Sequence, residues 1–247
     1  MSRSATAVSV LVAALATGAA VGQEPSGRPG VAVVRVSAPA SPSPGDFSLG
    51  ATNAYFPLEP GTVTILRGRE DGRHFRERVV VTHRTKLVEG VRTRVVLDVV
   101  RRGDGSVAER TRDWYATDDT GRVWYFGEAT ATYDRHGGLV DREGSWQAGV
   151  DGAVAGTIMP AHPRATQAFR QELKRGEAED QAWVVQTGAR VRTPAGVFRH
   201  VVRTLEWSRL EKGVVSTKLY ARGVGIVFER DLSGGDETFA LVRVHRP

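Results

Sequence analysis

The sequence predicts an all-β protein: one strongly curved antiparallel sheet or half-barrel, with a long covering loop and at most one short helix. Three observations carry this. Apolar and polar residues alternate with a period of two through a succession of short segments. Turn signals with glycine separate them, such as Glu70-Asp71-Gly72, Gly103-Asp104-Gly105, Asp119-Thr120-Gly121 and His136-Gly137-Gly138. Only one stretch, 164–175, has the composition of a helix.

Taken in order, residues 1–22 read as a secretory signal peptide. A basic start at Arg3 precedes the small-apolar run ATAVSVLVAALA, and Ala20 and Gly22 suit a cut before Gln23. Residues 23–48, rich in Pro, Ser and Gly, read as a disordered linker. Within it VAVVRV, 31–36, is able to pair as an edge strand, against its Pro-rich flanks. A single β domain is expected over 49–247. Its strands are expected at 62–67, 75–88, 92–100, 107–117, 122–133, 181–193, 197–207, 214–221, 224–230 and 238–244. In the third of these, Thr93, Val95, Leu97 and Val99 share one face. The segment 144–165 has four glycines and two prolines without alternation, and predicts a long loop over the concave side or one end. Residues 164–175 fit a helix by propensity, while Phe169 and Leu173 also fit a strand.

Composition excludes several function classes. The 247 residues contain no cysteine, so there is no disulfide, thiolate nucleophile, thiolate metal site or lipid-modified Cys. After the signal, no apolar run is long enough to span a membrane. The net charge of +6 rests on thirty arginines against four lysines. They are spread evenly and sit near carboxylates, as in RGREDGRHFRER, which reads as coding bias rather than a nucleic-acid surface. No HxH or HExxH spacing supports zinc, and His162 alone lies in a site-like loop. Glu177, Glu179 and Asp180 cluster, but without a Ca²⁺-loop pattern they read as a solvated turn. GxSxG, GxGxxG and GxxxxGK[ST] are absent. Neither a metal nor a cofactor is expected.

Chemistry concentrates in DWYATDDTGRVWYFGE, 113–128. A hairpin pairing 118 with 121 sets Tyr115 opposite Trp124, Asp113 opposite Phe126 and Thr111 opposite Glu128. Tyr115, Trp124, Phe126, Asp113 and Glu128 then share a face, with Trp114 and Tyr125 on the other. An aromatic floor with two carboxylates suits a ligand with an apolar body and a polar end, and Trp146 and Met159 from the long loop complete the wall. The competing reading is that the aromatics pack a core.

Asn53-Ala54-Tyr55-Phe56-Pro57-Leu58-Glu59-Pro60-Gly61 resembles the opening motif of a family of uncharacterised secreted bacterial β-rich proteins. The blocks DWYATDD, VWYFGE, GSWQAGVDGA, IMPAHP and YARGVGIV resemble that family in its order, over about residues 53–244. More distantly, Pro194-Ala195-Gly196 and Tyr220 before Gly223-Val224-Gly225 resemble lipoprotein-carrier-like half-barrels. That likeness implies a curved sheet round an apolar cavity.

The expected function is a secreted or periplasmic, non-catalytic protein. It holds a small apolar or amphipathic molecule through Tyr115, Trp124, Phe126, Glu128, Trp146 and Met159. The alternative is a small secreted hydrolase or lyase with Asp113 and Glu128 as acid and base and Tyr115 as proton donor.

Overall fold

In the computed structural model, residues 42–48 and 50–247 are described. The expected signal peptide and the VAVVRV stretch lie outside them. Fifteen strands follow a short 3₁₀ turn at Pro44–Asp46. They are β1 Val63–Glu70, β2 Arg73–Val88, β3 Val91–Arg102, β4 Val107–Thr117, β5 Val123–Tyr133, β6 Leu139–Asp141, β7 Trp146–Gln147 and β8 Val154–Met159. Then come β9 Ala168–Arg170, β10 Glu172–Leu173, β11 Asp180–Thr193, β12 Gly196–Ser208, β13 Val215–Ala221, β14 Gly225–Ser233 and β15 Thr238–His245. All pair antiparallel in one sheet, ordered β10-β8-β5-β4-β3-β2-β1-β15-β14-β13-β12-β11-β9, with β6 and β7 also on β5.

The two ends of that order are neighbours in the chain. β9 pairs with β11 on one edge, β10 pairs with β8 on the other, and only Gln171 separates them. The Gln171 amide donates to Asp180 O at 2.8 Å. The segment 168–173 therefore staples the two edges together, and the sheet becomes a nearly closed barrel with one seam. An all-β curved sheet was expected, and the structure has it, with no α-helix among the described residues.

One local expectation resolves differently, and one left open between helix and strand is decided. Residues 144–165 are not all loop: β7 and β8 come from them and extend the sheet beyond β5. Gly156 is what lets β8 take the staple, because a Cβ there would overlap the Gln171 backbone. Residues 164–175 form two short strands, with Phe169 buried, rather than a helix. The last residues of the expected linker also pack onto the barrel. Phe47 meets Phe126 edge-on at 5.8 Å, and Asp46 O accepts from Asp119 N at 2.8 Å.

Two apolar clusters fill the barrel. One surrounds Tyr125, Val96 and Val81, and the other surrounds Leu66, Phe75, Val100 and Phe239. On β2 and β3 carboxylates stand between them: Glu77 lies between Phe75 and Val81, and Asp98 between Val100 and Val96. The expected face of β3 is thereby the outer one. Val95, Leu97 and Val99 are half-buried, while Val96, Asp98 and Val100 point inward.

Candidate functional site

The β4–β5 hairpin sets the site, and its register is fixed by Asp118. Asp118 Oδ1 accepts from Thr120 N at 2.9 Å, Thr120 Oγ1 at 2.6 Å and Arg122 N at 3.0 Å, and Oδ2 from Trp124 Nε1 at 2.8 Å. This Asx-type turn places Thr117 opposite Val123 and Tyr115 opposite Tyr125. The expected pairing of Tyr115 with Trp124 is one residue out, and a one-residue shift exchanges the faces. A bulge then sets Phe126 and Gly127 against Trp114 alone, so Asp113 faces Glu128. Gly127 has φ +126° and a Cβ there would overlap the Trp146 backbone, so a side chain is excluded.

The outcome is a different face from the expected one. Asp113, Tyr115, Tyr125 and Glu128 point into the barrel together, whereas Trp114, Trp124 and Phe126 point outward. Trp124 and Phe126 are buried there under Arg122 and Phe47 respectively, and border neither of the interior cavities described below. Trp146 packs edge-on against Tyr125 at 5.3 Å, and Met159 is fully buried opposite Val123, yet neither borders the cavity. Of the six expected ligand contacts, Tyr115 and Glu128 line it.

Sequence reasoning missed the rest of the lining. Nine carboxylates are buried in the described residues of the sheet and staple: Glu77, Asp98, Glu109, Asp113, Glu128, Glu172, Asp180, Glu206 and Glu229. Lys218 is the one basic side chain in that buried set. Its Nζ lies 3.0 Å from Glu206 Oε2 and 4.0 Å from Glu229 Oε2. Tyr220 OH and Thr204 Oγ1 both donate to Glu206 Oε1, at 3.0 and 2.7 Å. Tyr125 OH donates to Asp113 Oδ1 at 2.8 Å, with Tyr115 stacked on it at 4.6 Å. Thr111 Oγ1 donates to Glu109 Oε1 at 3.1 Å. The signal was present in the period: Glu109, Thr111, Asp113 and Tyr115 alternate with Arg110 and Arg112. Of the clustered acids at 177–180, Asp180 is buried inside, while Glu177 pairs with Lys174 on the outside at 2.5 Å.

So many acids in a low-dielectric interior cannot all be charged. Burial pushes Asp113 up to about 7, against hydrogen bonds from Tyr125 and Tyr115 that lower it. Burial raises Glu128 well above the usual range, with Glu172 and Asp113 adding repulsion. Asp180 and Glu229 rise to about 7 and Asp98 to about 6, each mainly through burial. Glu77 rises further, through burial and then Asp98. As two carboxylates, Glu77 Oε2 and Asp98 Oδ1 have no donor between them. A proton on Glu77, hydrogen-bonded to Asp98, satisfies both. Burial works against the Lys218 ammonium, but Glu206 and Glu229 outweigh it and hold it charged.

One end of this interior is plugged by residues 53–58. Asn53 anchors the plug: its Nδ2 donates to Gly121 O at 2.7 Å and Pro160 O at 3.0 Å, and its Oδ1 accepts from Tyr55 N and Phe56 N. Gly223 N donates to Ala54 O at 2.7 Å. Phe56 reaches inward and meets Tyr115 edge-on at 5.0 Å. Beside it lie two adjoining cavities. One, of about 80 Å³, is bordered by Glu77, Asp98, Asp113, Tyr115, Glu128 and Lys218. The other, of about 90 Å³, is aliphatic, bordered by Leu58, Leu66, Val81, Val96, Val224 and Ile226. They share Phe56, Glu77, Val79, Val96 and Ile226. Among the described residues, no group of three or more His, Asp or Glu is arranged to hold a metal ion.

No family model and no curated protein matches the chain. Two solved structures are similar to it. One is a protein of Bacteroides fragilis NCTC 9343 inferred to be exported, with a YmcC-like fold, at 13% identity and TM-score 0.46, covering 78% of this chain and 100% of that one. The other is an inferred lipoprotein of Parabacteroides distasonis ATCC 8503, at 13% identity and TM-score 0.46, covering 78% of this chain and 99% of that one.

Proposed function

We propose that this chain is an exported, non-catalytic binding protein whose barrel takes a small amphipathic molecule. The apolar body sits in the aliphatic cavity beneath Leu58 and Ile226. A cationic or hydrogen-bond-donating head sits among Glu77, Asp98, Asp113 and Glu128. The observation that carries this is the pair of adjoining cavities behind one plug, one bordered by several carboxylates and the other mainly by aliphatic side chains. Binding pockets combine an apolar lining with a few placed polar groups. Export is supported by the signal-peptide pattern of residues 1–22.

The cavities are well short of the several hundred Å³ of an ordinary ligand pocket. A ligand of more than a few heavy atoms therefore has to displace Phe56. The test is thermal stabilisation and calorimetry with hexylamine, hexanol and hexanoate on wild type and Phe56→Ala. Stabilisation by the amine, weaker stabilisation by the alcohol, and tighter amine binding to Phe56→Ala are expected. Equal binding of hexanoate, or no binding of any of the three to either form, overturns the reading.

One observation favours a second reading, the hydrolase or lyase. Asp113, Glu128 and Tyr115 do share one face, with burial raising Asp113 to about 7 and Glu128 well above the usual carboxylate range. Under it, Glu128→Gln abolishes turnover on a panel of esters and glycosides without changing the melting temperature. Unchanged turnover removes it.

A further inference from the structure

The strands that carry carboxylates inward carry arginines outward. Around β1 the outer face holds Arg67, Arg76, Arg78 and Arg243 about an open groove of about 400 Å³, floored by Val63 and Ile65. Arg67 stands directly opposite Arg76, and Arg76 directly opposite Arg101. Like charges in that relation destabilise a sheet. Nothing in the described structure offsets them: the side chains of these four groove arginines make no ion pair or hydrogen bond, since Glu77 and Asp98 on the same strands are buried inside and Glu70 stands at the far end of β1. The row continues aliphatic and basic, with Val80 opposite Leu97, Arg78 opposite Val99, and Val99 opposite Arg110.

We propose that this outer face of β15, β1, β2 and β3 docks on an anionic membrane surface, its guanidinium groups taking lipid phosphates. Guanidinium forks bind phosphate oxygens in pairs and are weakly hydrated, so they suit a headgroup layer. The floor between them is aliphatic, as the boundary of headgroup and acyl chain requires. It presents no Phe, Tyr or Trp on which a nucleic-acid base would stack, which disfavours single-stranded nucleic acid. The proposal is independent of what the interior binds.

The test is co-sedimentation of the full chain with phosphatidylcholine vesicles containing about 30% phosphatidylglycerol, against phosphatidylcholine alone. Binding to the anionic vesicles only, lost on raising salt from about 0.1 to about 0.5 M, is expected. The variant Arg67→Gln/Arg76→Gln/Arg78→Gln/Arg243→Gln should bind several hundredfold more weakly, from about fivefold per arginine. It should melt no lower than wild type, since it removes cross-strand repulsion. Lysines at the same four positions should keep most of the binding. A control with equal loss of charge elsewhere, Arg92→Gln/Arg142→Gln/Arg192→Gln/Arg199→Gln, should bind as wild type. No binding to anionic vesicles overturns the proposal. So does an equal loss in the control, which would mean net charge alone. Retention on polyphosphate or heparin without vesicle binding also overturns it, in favour of an acidic polymer.

Discussion

Lys218 shows what a single side chain does in an interior like this. It is the counter-ion of Glu206 and Glu229, and Glu206 is further held by Tyr220 and Thr204. Removing one partner of a buried ion pair strands the other, at a cost of about 3–5 kcal/mol. Lys218→Met should therefore lose stability of that order at pH 8 and less at pH 5, where Glu229 is protonated; urea unfolding at the two pH values measures it. Tyr125→Phe removes the donor to Asp113 Oδ1 and should cost about 1 kcal/mol, with the Asp113 pKa moving above its present value of about 7, read by carboxyl NMR titration. At this scale the sequence was readable only in part. It shows that Asp113, Tyr115 and Glu128 belong together, and the structure places them on one face. It does not show that Trp124 and Phe126 face away, because that depends on one residue of register and on a bulge at Gly127. The decisive hint was Asp118-Asp119-Thr120-Gly121, where Asp118 rather than the glycine sets the pairing.

At the scale of elements, the long strands were legible because each carries enough alternation to declare itself. The strand expected at 214–221 is β13, Val215–Ala221, and that expected at 181–193 is β11, Asp180–Thr193. The short strands β6 to β10 were not, since two or three residues are extended only because a partner's backbone is there to bond them. Gly156 is the residue on which that pairing rests. Replacing it by Val sets a side chain into the Gln171 backbone and should part β8 from β10. The expected result is fast hydrogen exchange at Glu172 and Leu173 with the β1–β4 amides still protected, because local opening follows the contacts that are lost. Equal loss of protection throughout would mean that the seam and the barrel unfold as one unit.

For the whole molecule, the buried acids invert the usual dependence of stability on pH. Asp98, Asp113, Asp180 and Glu229 have ordinary values of 3.8 or 4.5 and folded values of about 6 or 7. The folded state therefore holds protons that the unfolded chain releases. Their contribution is fully present below about pH 4 and is lost as pH rises through 6 to 7. Asp118 acts oppositely, its turn bonds outweighing burial to lower it, but that matters only in stronger acid. The urea midpoint should be higher at pH 5 than at pH 8; the reverse order would mean that the interior carboxyls are already ionised and solvated at neutral pH. The order of the sheet has a consequence in time. β1 pairs with both β2 and β15, so Val63 meets His245 from the other end of the chain. A chain appearing from its N-terminus completes β1 to β5 as successive hairpins, and sets β6 to β8 against β5, long before β15 exists. Through that interval one edge of β1 stands open, the situation in which half-made sheets join edge to edge. Arg67 and Arg69 on that strand, with Arg76 and Arg78 beside them, repel a second copy until residues 238–245 arrive to cover it.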